Sequence, residues 1–165
     1  MTNLRRMVFW LVLAAASAGA QERPSLPPEM DAYALASSPA IDGNVLGDNA
    51  WSGVTPATSF WQIKPDDGQP ATQRTEVYVG FSDSHLYVGV VAYDDEPDAI
   101  IVTDSRRDSS LDNTDAFLMI IDGLLDRQNG FVFGTNAAGV EYDGQVTKEG
   151  TGGNVIFGQG GINLN

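Results

Sequence analysis

The sequence predicts an all-β chain, an antiparallel β-sandwich of the immunoglobulin-like or jelly-roll-like two-sheet kind, and three observations lead there. Residues 74–81 and 85–94 alternate apolar and polar side chains with a period of two, across the turn-forming Ser82-Asp83-Ser84. Further short apolar runs at 117–121, 131–135 and 140–146 are separated by turns rich in Asp, Asn and Gly. No amphipathic helical period of useful length follows the first twenty residues.

Those twenty residues stand apart. Arg5 and Arg6 precede an apolar run over 7–16, and small residues close the segment at Ala18, Gly19 and Ala20. This is the layout of a secretory signal peptide cleaved after Ala20. The alternative is a membrane anchor, but the apolar core falls well short of the ~20 residues that a spanning helix needs. The expected destination of the exported chain is the periplasm, the outer membrane or the cell surface. Cleavage removes two arginines and no acids, so nine basic residues become seven against twenty-two acidic ones, and the formal charge moves from −13 to −15. A chain this acidic repels the nucleic-acid backbone, which argues against nucleic acid as a partner. The absence of cysteine excludes thiol nucleophiles and thiolate metal sites, and it leaves the domain without disulfide staples in an oxidising compartment. The roughly 145 remaining residues suffice for one sandwich core.

From Gln21 to Pro39 the chain carries Pro24, Pro27, Pro28 and Pro39 among Ser and Ala, the composition of a linker. The domain is expected to span 40–165. A short strand enters the turn at Asp42-Gly43, and a further strand is expected over 57–63 ahead of the reversal at Pro65-Asp66-Asp67-Gly68. In the first strand of the central hairpin Thr75, Val77, Val79 and Phe81 share one face, with Glu76 and Tyr78 on the other. In the return strand Leu86, Val88, Val90 and Ala92 oppose Tyr87 and Val91. A short extended piece near 100–103 precedes a polar loop over 106–113. The nearly continuous apolar run at 117–121 predicts a strand covered on both faces and central in its sheet. Turns at 126–130 and 136–139 lead into strands over 131–135 and 140–146, and one more strand is expected near 155–157 in a glycine-rich tail. A sandwich ending there has open edges, so the chain reads as the amino-terminal part of something longer, truncated at its carboxy end.

Acids gather at Asp94, Asp95, Glu96 and Asp98, and again at Asp104, Asp108, Asp112 and Asp115. Oxygen-rich loops can hold Ca²⁺ through six to eight ligands. Asp112 and Asp115 are the pair singled out for calcium, although solvated loop acids are the plainer explanation. Arg106 and Arg107 lie among these acids near strand ends. A fork onto Asp115 or Asp122 is the architectural reading, and the same fork suits hydroxyl pairs of a sugar. Trp61 and Tyr142 are aromatics suited to stacking on a sugar ring, whereas Trp51, beside a turn, reads as a core plug. Phe60 and Trp61 must point to opposite faces if they lie in a strand. Twenty-two acids offer no distinguished pair for glycoside hydrolysis, and no nucleophile elbow, zinc-protease helix or phosphate-cradling loop occurs. No catalytic residue is assigned.

Taken together, Ala40-Ile41-Asp42-Gly43 with Asp48-Asn49-Ala50-Trp51, Arg74-Thr75-Glu76-Val77, Leu86-Tyr87-Val88-Gly89, Ala92-Tyr93-Asp94, Arg107-Asp108, the run from Asp115 to Asp122, Asp126-Arg127-Gln128-Asn129-Gly130 and Asn136-Ala137-Ala138-Gly139 resemble carbohydrate-binding module family 9-like domains. The closer resemblance is to the version that opens long exported bacterial proteins ending in an outer-membrane β-barrel. The resemblance spans Ala40 to about Asn165 and rests on the order of the motifs. It implies a β-sandwich, a non-catalytic role in binding a glycan or polysaccharide, association in some members with polysaccharide-degrading enzymes, and calcium in others. Where sugar-binding members carry a stacking tryptophan and a glutamate, this chain has Asp112 and Leu118, and Gly134 stands where an arginine lies. The usual sugar site is therefore expected to be absent. Binding would instead draw on Trp61, Arg106, Arg107, Asp115, Asn136 and Tyr142. The competing expectation is a structural module that docks on its own carboxy-terminal barrel and binds no sugar.

Overall fold

The computed structural model describes residues 29–147, which fall into two compact units, one up to Asp94 and one from Asp95, each treated by itself below. The expected signal peptide, the first part of the linker and the strand expected near 155–157 lie outside the described residues. The described chain is all-β in content: two three-stranded sheets and two three-residue 3-10 turns, at Asn49–Trp51 and Pro97–Ala99.

In the first unit the sheet order is β1-β2-β3. The hairpin expected from period and turn chemistry forms, with β2 at Thr75–Phe81 antiparallel to β3 at Leu86–Ala92. Its turn closes by the Ser82 N–H donating to the His85 carbonyl at 2.9 Å and the Ser82 Oγ accepting from the His85 N–H at 3.3 Å. Strand β1, Tyr33–Ala34, runs parallel to the end of β2. Order thus begins inside the segment whose proline content suggested a linker. The reason is visible at Gly80, where a Cβ would lie 2.6 Å from Leu35 Cδ2 and Cγ, so the missing side chain admits the β1 segment against the sheet.

The segment from 35 to 51 covers the Tyr78 face of the hairpin. Trp51 is buried, its ring 5.8 Å from that of Tyr78, and Gly89 provides the space beneath it. Trp51 is therefore the core plug its position suggested. Asp48 fixes this turn, its carboxylate accepting from the Ala50 N–H at 2.8 Å and the Ala40 N–H at 2.7 Å. These two bonds, that from Ala50 first, hold its pKa below the ordinary value. The strand expected over 57–63 reduces to isolated bridges, Ala57 with Val77 and Trp61 with Pro70. Ser59, at φ 62°, breaks the extended run between them.

The second unit holds β4 at Ala116–Ile121, β5 at Gly130–Asn136 and β6 at Tyr142–Val146, antiparallel in that order. The three strands fall where the apolar runs predicted. The central placement of 117–121 is corrected: among the described residues β4 is an edge strand, with β5 in the middle, and Leu118 and Ile120 are exposed. An uninterrupted apolar run carries no period from which its neighbours can be read. The core of this unit lies on the other strands, where Val132, Tyr142 and Val146 meet Leu111 from the preceding loop. Residues 100–103 form no strand, but the Asp115 N–H donates to the Ile101 carbonyl at 2.9 Å, tying the piece to the start of β4.

Candidate functional site

Residues 104–110 connect the Ile101 tie to Leu111 and form a loop whose shape is fixed from two sides. The Asn136 Nδ2 donates to the Asp104 carbonyl at 3.0 Å, while the Asn136 Oδ1 accepts from the Ala138 N–H at 2.9 Å and the Val140 N–H at 3.3 Å. One buried amide thus anchors the loop and shapes the turn between β5 and β6, which closes through Gly139 at φ 74°. On the other side the Asp108 N–H donates to the Glu141 carbonyl at 3.0 Å. Asp108 takes φ 56°, a left-handed conformation that aspartate tolerates better than most residues.

The two arginines of this loop do different things. Arg107 engages every guanidinium nitrogen: Nη1 donates to Glu141, Nη2 to the Asp143 Oδ1 at 2.6 Å, and Nε lies 3.4 Å from the Asp108 Oδ2. The charges of Asp108, Asp143 and Glu141 raise its pKa further above the ordinary range. Arg106 turns back on Asp104, with Nε 3.1 and 3.0 Å from the two carboxylate oxygens and Nη2 2.5 Å from Oδ2. Its Nη1 has no partner among those bonds, and its side chain is 85% exposed. The Arg106 side chain and backbone N–H hold the Asp104 carboxyl down at about 2. Neither arginine forks onto Asp115 or Asp122, as the sequence suggested. The Asp122 carboxylate instead accepts from the Leu124, Asp126 and Arg127 N–H groups in its own loop.

Asp104, Arg106, Arg107, Asp108, Ser109 and Ser110 line an open hollow of about 390 Å³. Four of the lining side chains are charged, two of each sign. Ser109 adds a buried Oγ with no hydrogen-bond partner among the described residues. Such a group is costly to leave unsatisfied, and it sits in the wall of the hollow.

The other predicted site residues are placed differently. Tyr142 is a correction: only 3% exposed, its ring belongs to the core and offers no face for stacking. Burial first, then the charges of Asp112 and Asp108, raise its pKa. Asn136 is likewise buried, its amide spent on the loop anchors described above. The Asp115 Oδ2 accepts from the Ile101 N–H at 2.6 Å, and the Asp112 Oδ2 from the Ser110 Oγ at 2.9 Å. Among the described residues no group of three or more acids or histidines is arranged to hold a metal, and the carboxylates of Asp112 and Asp115 each accept a hydrogen bond from a different neighbour. Trp61, half-buried at its bridge to Pro70, belongs to the first unit, whereas the other five belong to the second. Gly134 has no room for the arginine of the resemblance, since even a Cβ would lie 2.6 Å from Leu118 Cδ2 and 2.9 Å from Leu111 Cδ1.

Two clusters escaped the sequence reading. Glu141 and Asp143, two apart around Tyr142, present carboxylates to Arg107, and that i, i+2 spacing was the available signal. In the first unit Glu76 is 5% exposed; its Oε2 accepts from the Tyr78 hydroxyl at 3.0 Å and the Tyr93 hydroxyl at 3.2 Å, and its Oε1 from Arg74. The Arg74 guanidinium also sits 5.0 Å from the Tyr93 ring centroid. All acceptor positions used here are internal, which makes this cluster architecture.

No family model, curated protein or solved structure matches the chain.

Proposed function

We propose that the chain is a non-catalytic carbohydrate-binding module of an exported protein, built as a two-sheet sandwich and linked to polysaccharide breakdown. The observation that carries this reading is the preformed hollow at 104–110, which offers guanidinium donors, carboxylate acceptors and serine hydroxyls on a loop held at both ends. Sugar hydroxyls need donors and acceptors side by side, and a fixed loop loses little entropy on binding. The ordered motifs resembling family 9-like modules support the same reading. A sandwich is supported by each sheet taken alone: Val77, Val79, Phe81, Leu86, Val88 and Val90 give the first an apolar face, and in the second Phe117, Met119, Ile121, Phe131 and Phe133 share the face opposite Val132, Tyr142 and Val146. Apolar sheet faces of this kind are what the layers of a sandwich bury.

Isothermal titration of the full chain against xylan and cellulose oligosaccharides, with calcium and then with chelator, tests the reading. Saturable heat supports it, and persistence of that heat in chelator makes the binding independent of calcium. A folded chain that gives no heat with any oligosaccharide overturns it.

The second reading is a docking domain for its own outer-membrane barrel, and one observation favours it. Leu124 and Leu125, 74% and 87% exposed, stand side by side in the β4–β5 loop, near the exposed Ile120 and Phe131. Adjacent exposed leucines are more typical of an interaction surface than of a solvated loop. Loss of outer-membrane retention in a Leu124→Ser/Leu125→Ser chain that still binds no sugar would select this reading.

A further inference from the structure

The two arginines of the hollow are adjacent in sequence but differ in what remains free. Arg107 has every nitrogen committed to Asp108, Glu141 or Asp143. Arg106 spends Nε and one side of Nη2 on Asp104. A guanidinium has five N–H donors in a planar fork, so the end of Arg106 formed by Nη1 and the second Nη2 hydrogen stays open. That end presents two parallel donors about as far apart as two oxygens on neighbouring carbons, the geometry that also grips a carboxylate.

Charge separates those two ligand classes. Within the hollow Arg106 and Arg107 are balanced by Asp104 and Asp108, and Glu141 and Asp143 add negative charge on Arg107's far side. Asp104 is ionised through the whole physiological range, as a carboxyl with an ordinary pKa of 3.8 already would be, and Arg106 lowers it further. A carboxylate arriving at the Arg106 fork would therefore meet a cation already neutralised and a surplus of acids around it. A neutral hydroxyl pair would accept from the fork and donate its own protons to Asp104 or Asp108, leaving no uncompensated charge.

We propose that the hollow selects an uncharged sugar unit through a vicinal hydroxyl pair, with Arg106 as the contacting fork and Arg107 as the residue that positions the loop. This rests on the glycan-binding reading and narrows it.

The test is titration of the full chain, wild type and Arg106→Lys, with hexamers of equal length: xylose, glucose and mannose as neutral ligands, galacturonate and guluronate as anionic ones. Arg106→Lys keeps the charge and removes the fork, and far-UV circular dichroism shows whether the variant folds. The expected result is binding of at least one neutral hexamer, weaker binding of both uronates by about tenfold or more, and a similar loss for the neutral hexamer in Arg106→Lys, the equivalent of one charge-assisted hydrogen bond. Uronate binding equal to or tighter than neutral binding, or an Arg106→Lys variant with unchanged affinity, overturns the selectivity while leaving glycan binding in place. No heat from any hexamer with a folded wild-type chain overturns both. Should Arg106→Lys misfold, Arg106→Gln serves in its place: weakened neutral binding supports the fork as the contact, and unchanged affinity overturns it.

Discussion

The two units place the same ingredients, arginine against carboxylate on a three-stranded sheet, in opposite environments. In the first, Glu76 is buried and every contact it makes is with its own unit: Arg74, Tyr78 and Tyr93. In the second, Arg106 and Arg107 are largely exposed and line an open hollow. Covering decides the difference. Trp51 and the 35–51 segment close over the aromatic face of the first sheet, while in the second Leu111 covers Val132, Tyr142 and Val146 and the loop before it stays open. Arg74 is as open to water as Arg107, so the burial of the Glu76 carboxylate is what differs, and a buried carboxylate serves as architecture because removing its cation leaves it poorly solvated. An exposed pair contributes little to stability and keeps donors free for a ligand.

The largest effect should follow from treating a predicted ligand residue as the core residue it is. Tyr142→Ala removes a ring enclosed by Leu111, Val132 and Val146, and should cost about 3 kcal/mol in urea unfolding. A variant of wild-type stability would place Tyr142 at the surface after all. Next comes the buried carboxylate. Arg74→Met removes the guanidinium from both the buried Glu76 and the Tyr93 ring, at a cost of about 1 to 2 kcal/mol. An unchanged urea midpoint would mean that the two tyrosine hydroxyls suffice for the carboxylate and would erase the contrast between the units.

How much of this was legible in the sequence follows from which interactions are periodic. Strands β2, β3, β5 and β6 were readable because alternation and turn residues are local. The position of β4 at the edge was not, since an apolar run is equally compatible with either place. β1 was hidden by the prolines on either side of it, and the glycine that admits it, Gly80, lies forty-five residues after Leu35. At the site, the arginine pair was readable as chemistry but its partners were not. Asp104 and Asp108 are near in sequence, yet Glu141 and Asp143 reach Arg107 only because β6 lies beside the loop. Tyr142 misled for the same reason: a strand tyrosine between two acids looks exposed until the register puts those acids on the opposite face.

The β1 contact offers a smaller test, still within the first unit. Gly80→Ala places a methyl 2.6 Å from the Leu35 side chain, and such overpacking should cost about 1 to 2 kcal/mol. In a double-mutant cycle, Leu35→Ala should recover part of that loss. Additive effects would mean that the 33–35 segment does not press on the sheet, and that the linker suggested by its composition is the better description.

The smallest expected effect on stability sharpens the comparison most. Arg106→Met should lower the urea midpoint at pH 7 only slightly, because Arg106 is 85% exposed and solvent screens its pair with Asp104. The titration of Asp104 should nevertheless move. Arg106's side-chain hydrogen bonds are the leading cause of its depression to about 2, so in the variant the carboxyl should titrate closer to its ordinary 3.8. The sign follows from linkage: a carboxyl lowered in the folded state contributes stability that is full above 3.8 and disappears as pH falls through about 2. Whatever stability wild type gains over the variant through this pair is therefore present near neutrality, kept small by solvent screening, and vanishes as pH falls through that window. NMR titration of the Asp104 side-chain carboxyl measures the shift directly. An Asp104 that still titrates near 2 without Arg106 would show that the backbone N–H groups of the loop hold it, and the guanidinium would then be free of Asp104 and charged toward the ligand.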